Sequence, residues 1–249
     1  MDIALLLSVD WLPLKGNFYM KTVEIRPELH LLLLDFGQAY LWNDAGALTL
    51  VDTGIATSGG EIAAAVAVLG FRQSDLKRVV LTHFHEDHCG GAAEISGWGD
   101  IIVMAHRLEA PVIRGEQSAP PPLFTDEERA LHRELGAHLL PPAPPCRVDR
   151  ELEDGDTIDF GGGARVIHTP GHTDGSIALH LPHAGVLFTG DTVTHAAGQV
   201  MPGVFNVDRT EMLRSVRSLA EVDASLACVG HGDPIPDAHA TLATMAAAL

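Results

Sequence analysis

The sequence is poor in cysteine, in basic residues and in long apolar runs. Its three cysteines, Cys89, Cys146 and Cys228, are too few and too uneven for a disulfide framework, which points to a reducing compartment. Sixteen basic residues stand against 33 acidic ones, a formal net charge of −17. A surface of that sign repels phosphate backbones and anionic lipid, so nucleic-acid and membrane partners are not expected. No apolar stretch approaches the roughly 20 residues that a membrane span requires. The N-terminal run Ile3 to Leu7 is only five residues long and follows Asp2, where a signal peptide would carry positive charge. The expectation is a cytoplasmic protein acting on a small molecule.

What the chain does have is apolar material and histidine. Of its 249 residues 46% are hydrophobic, enough for a substantial core, and one domain over residues 1–249 is expected. "TVEIR", "LHLLLLD", "AYLW" and "LTLVD" read as strands broken by turn residues. A helix is expected over 58–70, a strand at "RVVLT" (78–82), a further helix at "GGAAEIS" and a strand over 101–105. Residues 106–150 differ in character: "APPPLF" and "LPPAPPC" flank "TDEERALHRELGAHL". Thr125 and Glu128 have capping-box spacing, so a helix over about 126–138 is expected inside a proline-stiffened insertion, read as a lid. Later come "DTIDF", "ARVIHT", "IALHL", "VLFTGD" and "SLACVG" as strands, with helices over about 209–220 and 237–248. Strand clusters alternating with helices in both halves argue for an α/β layered domain.

Fourteen histidines are present, several beside Gly, Asp or Thr in turn-like sequence. The densest group is "THFHEDHCGG" (82–91), which holds His83, His85, Asp87 and His88. On a helix, residues two apart point to nearly opposite sides, so His83 and His85 could not share an ion there. The helical zinc motif needs histidines four apart, and "HEDH" spaces His85 and His88 three apart. The four are therefore expected on a loop at the carboxyl edge of "RVVLT", with His83 and His85 pointing the same way and a turn re-aiming Asp87 and His88. Cys89 is expected to be a small buried residue. Three more candidates follow strands: His172 in "HTPGHTDGS", Asp191 in "VLFTGDT" and His231 in "CVGHGDP". Strand carboxyl ends are where open α/β sheets hold their sites. Together the seven supply N and O donors enough for two divalent ions. No G-x-S-x-G is present, so no protein nucleophile is evident. A bound ion lowers the pKa of water to about 7, so a metal-bridging hydroxide is the expected nucleophile.

H-x-H-x-D-H at 83–88, then His172, Asp191 and His231 in that order, with "VDTG" at 51–54 upstream, resembles the metallo-β-lactamase superfamily from about residue 22 to 235. The resemblance implies a four-layer αββα sandwich of two similar halves with a metal site along one edge. Carried over by position, His83, His85 and His172 would hold one ion, Asp87, His88 and His231 the second, and Asp191 would bridge them. Asp52 would stand behind the ligands and steady them. Asp87, Asp191 and His195 are the residues expected in catalysis, His195 as a donor to a leaving group or oxyanion. His106, His168 and His180 are expected to be structural. Antibiotic-hydrolysing relatives commonly carry cysteine at the bridging position, where this chain has Asp191. Glyoxalase II carries a C-terminal helical domain, whereas 18 residues follow His231 here. Acyl-homoserine lactonases typically have tyrosine where this chain has Thr194. "THAAGQVMPGVFNVD" (194–208) and "PPPLF" are candidates to wall an apolar pocket. The expected activity is hydrolysis of a carboxylic ester, thioester or lactone by a dinuclear centre, with zinc the expected metal and iron or manganese as alternatives. The competing readings are a small-molecule phosphodiesterase, a mononuclear iron persulfide dioxygenase and a non-catalytic metal-binding protein.

Overall fold

A computed structural model describes residues 21–249; the N-terminal run Ile3 to Leu7 lies outside them. β1 (Lys21–Arg26), β2 (Leu29–Leu33), β3 (Gln38–Asp44) and β4 (Ala47–Val51) form an antiparallel meander. After α1 (Gly59–Val68) the chain returns as β5 (Leu76–Val80), parallel to β4. Two four-residue helices, α2 (Glu86–Cys89) and α3 (Ala92–Ile95), lead to β6 (Ile102–His106). α4 (Ala110–Ile113) and α5 (Asp126–Glu134) precede β7 (Arg150–Leu152), which completes a seven-stranded sheet in sequential order.

The second sheet holds six strands in the order β15-β14-β11-β10-β9-β8. These are β8 (Thr157–Ile158), β9 (Ala164–His168), β10 (Ile177–Leu181), β11 (Val186–Gly190), β14 (Leu226–Val229) and β15 (Ile235–Pro236). β9 and β11 both run antiparallel to β10, and β14 runs parallel to β11, so β9, β11 and β14 share one direction. α6 (Arg209–Ala220) lies between β11 and β14, and α7 (Ala238–Ala247) closes the described chain.

Side-chain alternation explains the layering. In β3, Tyr40 and Trp42 turn inward, packing with Phe188, Val166 and Leu179 of the second sheet. Ala39 and Leu41 turn outward to meet Ile62 and Val66 of α1. In the second sheet Ala178, Leu187 and Ala227 turn outward onto Leu219 of α6 and Leu242 of α7. Each sheet is thus covered on both faces, which is why its strands read as near-continuous apolar runs. The result is a four-layer αββα sandwich.

Three local expectations change. The helix in the insertion ends at Glu134 rather than about 138, because Gly136 takes a left-handed φ of 70° and a short 3-10 turn follows. The ligand stretch is not wholly a loop: Asp87 and His88 sit on the single turn of α2. The stretch 194–208 contains a hairpin, β12 (Val193–Ala196) against β13 (Gln199–Pro202). The capping box at Thr125 forms as expected, with Glu128 N–H donating to Thr125 Oγ1 and Thr125 N–H to Glu128. Among the described residues no helix is long and apolar enough to cross a membrane.

Candidate metal centre

The carboxyl ends of both sheets meet at one edge, and all seven candidate ligands converge there. β5 leads to His83 and His85, with α2 adding Asp87 and His88. β9 leads to His172, β11 to Asp191 and β14 to His231. The two sheets are tied beside them: Ile177 N–H donates to the Thr82 carbonyl at 3.0 Å, and the Gln38 amide and Tyr40 hydroxyl donate to the Val229 carbonyl at 2.8 Å each.

Among the described residues, three triads have potential ligand atoms within 4.8 Å of one another: His83, His85 and His172; His83, His88 and Asp191; Asp87, His88 and His231. His85 Nδ1 and His172 Nε2 face each other at 2.9 Å. His231 Nε2 lies 3.1 Å from Asp87 Oδ2. Asp191 stands between the groups, with Oδ2 3.6 Å from His172 Nε2 and 3.3 Å from His231 Nε2, and Oδ1 3.2 Å from His88 Nε2. Gly230 makes this approach feasible: a Cβ there would sit 1.9 Å from Asp191 Oδ1.

Asp52, at the end of β4, adopts φ 61°, a strained conformation for a residue with a side chain. Its Oδ2 lies 2.9 Å from His88 Nδ1 and accepts from the Thr82 hydroxyl, while Oδ1 accepts from Thr82 N–H at 2.7 Å. The carboxylate thereby orients the His88 ring with Nε2 facing Asp191. A carboxylate behind a histidine is a common support for a metal ligand.

Electrostatics divides the histidines. Burial holds His83 and His172 below the ordinary imidazole range and takes His85 to about 3. Those rings are neutral at physiological pH and present lone pairs. Burial would also lower His88 and His231, but the carboxylates outweigh it: Asp191, Asp87 and Asp52 raise His88, and Asp191 and Asp87 lift His231 to about 9. Burial alone would raise Asp87 and Asp191; His88 and His231 keep both ionised. The donor set fits a divalent metal. Neutral imidazoles and ionised carboxylates converge, and His83 Nε2 is buried with no hydrogen-bond partner.

His195 stands apart from the triads. Its Nδ1 is 2.9 Å from the Asp233 carbonyl, and its backbone N–H donates to the His231 carbonyl. Thr194 Oγ1 donates to that same carbonyl at 3.2 Å. His106 stacks on His168 with ring centroids 4.3 Å apart, and His180 Nε2 is 3.2 Å from the Asp223 carbonyl. Cys89 is buried and its thiol donates to the Phe84 carbonyl.

The insertion approaches the same edge. Phe124, His132 and Phe205 meet ring to ring at centroid distances of 4.9, 5.6 and 5.2 Å. His132 is lowered by burial and by His138, with Asp87 pulling the other way, so it lies within electrostatic reach of the centre. Phe205 is held at φ 61°. Its neighbour Asn206 has Oδ1 3.4 Å from His172 Nδ1 and accepts Leu123 N–H on its carbonyl. The buried Glu128 receives Arg209 at 2.5 Å. Sequence reasoning did not single out Phe124, His132, Phe205 or Asn206; the only signal was the apolar character of two stretches far apart in the chain.

A family model described as the metallo-beta-lactamase superfamily matches residues 33–231. The probable metallo-hydrolase YflN of Bacillus subtilis (strain 168) is 27% identical over 250 residues, 92% of this chain and 93% of its own length. A hydroxyacylglutathione hydrolase of Fuscovulum blasticum is 31% identical over 78% of this chain, which spans 61% of that relative's length. A metallo-beta-lactamase family protein from Thermus thermophilus superposes with a TM-score of 0.64 at 27% identity, covering 92% of this chain and 78% of that one. The Rm3 metallo-beta-lactamase shares the fold, with a TM-score of 0.70 at 19% identity over 94% of this chain and 92% of its own. The matched residues run from β2 to the last of the converging candidate ligands, and the chain belongs to the metallo-beta-lactamase superfamily.

Proposed function

We propose that the chain is a dinuclear metal-dependent hydrolase of small-molecule carboxylic esters, thioesters or lactones. In this reading His83, His85 and His172 hold one ion, Asp87, His88 and His231 hold the other, and Asp191 serves both. The observation that carries it is the Asp191 carboxylate, which approaches His172 from one group and His88 and His231 from the other. Divalent ions in such a centre supply a water-derived nucleophile at neutral pH and draw charge from an acyl oxygen.

The chain's own residues supply position and proton handling. Asp52 and Thr82 fix the His88 ring. His195 is the proposed donor to the leaving group, through the ring nitrogen that Asp233 does not engage. Phe124, His132 and Phe205 are the proposed wall for an apolar part of the substrate, excluding water from that side. Similarity to hydroxyacylglutathione hydrolases, whose named substrate is an acyl thioester, supports acyl transfer to water as the reaction class. Zinc is the proposed metal, since it accepts mixed N and O donors at four-coordinate sites. Three buried cysteines, none in a disulfide, support a cytoplasmic setting.

The experiment is metal quantification followed by a substrate panel. Chelation should abolish turnover and zinc should restore it. Asp191→Ala and His85→Ala should each lower kcat/KM by at least about a hundredfold, because removing a ligand costs more than removing its support. A zinc-loaded protein that cleaves a chromogenic phosphodiester but no ester, thioester or lactone would sink the proposed substrate class. One iron per chain with oxygen consumption would replace the hydrolase reading altogether.

A further inference from the structure

We infer that Glu109 is a positioning residue that fixes the separation of the two loops bearing His83, His85 and His172; this rests on the reading that those histidines hold a divalent ion. Glu109 lies just beyond β6, 21 positions after the nearest ligand in sequence, His88, and is fully buried. Its Oε2 accepts the N–H of Phe84, the residue between His83 and His85, at 2.8 Å. Its Oε1 accepts Gly175 N–H at 2.7 Å and the Thr173 hydroxyl at 3.0 Å, both on the loop that carries His172. One carboxylate thus joins the loop after β5 in the first sheet to the loop after β9 in the second.

The geometry suits a carboxylate, which when ionised offers an acceptor oxygen to each loop. Two acceptor oxygens at fixed separation each serve one loop. A glutamine would present one oxygen and one amino group, so one loop would face a donor with its own donor. An apolar residue would leave three buried donors unsatisfied. Gly175 is fitted to the arrangement: a Cβ there would lie 2.7 Å from Glu109 Oε1 and 2.9 Å from Glu109 Cγ. The partners are two backbone amides and a hydroxyl, and none is cationic. A buried carboxylate without a cation is a cost to the fold. Its return is the registry of the facing nitrogens, His85 Nδ1 and His172 Nε2 at 2.9 Å, since metal sites tolerate errors of only about 0.2 Å in ligand distance. Among the described residues Glu109 hydrogen-bonds to Phe84, Thr173 and Gly175 and to none of the candidate ligand rings, so it acts through the two loops.

The test uses full-length protein freed of metal and titrated with zinc against a chromophoric chelator. E109Q should bind the ion of the three-histidine group roughly 10–100-fold more weakly, so that stoichiometry under competition falls toward one ion per chain. D52N, which disturbs His88 instead, should weaken the other ion. Above pH 7 metal-free E109Q should melt no lower than the parent, because losing the buried charge offsets the loop hydrogen bond it gives up, and a purely structural glutamate would not allow that. T173V keeps the carboxylate and removes one donor, and should weaken zinc in the same direction by less. Parent-like zinc affinity and stoichiometry in E109Q would overturn the inference, as would a metal-free melt that falls in step with zinc affinity. If E109Q does not fold, unchanged zinc affinity in T173V overturns it and weakened affinity upholds it. A parent that takes up no zinc sinks the underlying reading, and the inference with it.

Discussion

A single carboxyl group can decide how well two loops register, and Glu109 has a measurable signature. Burial pushes it up to about 7, against the pull of hydrogen bonds from Thr173, Gly175 and Phe84. The same group in an unfolded chain titrates near 4.5. Between those values the unfolded chain has released a proton that the folded chain retains, so stability falls as pH rises through that window. E109Q lacks the titration. Denaturant melts of the two metal-free proteins should therefore show E109Q gaining about 3 kcal/mol on the parent between pH 4.5 and a pH above 7. A flat difference would mean that Glu109 is solvated or neutralised by another route. The seven converging donors were legible in the sequence because each sits in a Gly-, Thr- or Asp-rich turn after an apolar run, whereas Asp52 came only with the family resemblance. Glu109 was not legible, since it sits in "HRLEAPVI" with no local pattern around it. Its partners are 25, 64 and 66 positions away, two of them backbone amides that any residue type could supply.

Elements show a similar division. α6 falls where Asp208 and the apolar period put it, and Asp208 accepts Glu211 N–H as a helix cap. The β12–β13 hairpin was hidden because its two-residue turn is Ala197-Gly198, at φ 52° and 71°. Such turns are usually announced by Asn-Gly or Asp-Gly, and alanine at positive φ gives no such signal. That hairpin is the seat of the insertion: Leu131 of α5 packs with Ala196 and Met201, and Arg209 reaches Glu128. Arg209→Ala should leave the buried Glu128 carboxylate without its cation and loosen α5 by about 1–3 kcal/mol. Backbone hydrogen exchange should accelerate over 126–134 and stay unchanged in β3 and β11. Unchanged exchange in α5 would mean that the apolar contacts alone dock it. With the helix loosened, KM should rise more than kcat falls if Phe124 and His132 contact substrate only through binding.

At the scale of the whole molecule, the layered architecture was legible because both faces of both sheets are covered, leaving runs such as "LHLLLL" with no polar alternation. The face-to-face pairing of the two sheets was legible only through the family resemblance, since physically it depends on contacts such as Tyr40 with Phe188, at 5.5 Å between ring centroids, across nearly 150 positions. The proposed centre bridges that same pairing. Zinc at about a hundred times its Kd should stabilise the fold by about 2.7 kcal/mol and raise Tm by roughly 5–10 °C. Thermal melts across a zinc series would check this, and a Tm indifferent to zinc would mean that the metal does not join the two sheets.

The order of the ligands along the chain has a consequence for biosynthesis. His83, His85 and His172 all precede Asp191, and His231 comes last. During vectorial synthesis the donors emerge in chain order, three histidines of one group before the last donor of the other. On the proposed assignment every donor of the three-histidine group, and Glu109 with it, has been synthesised while its neighbour still lacks His231. The two ions would then be acquired in sequence, the second only after β14 has entered its sheet and brought His231 into place.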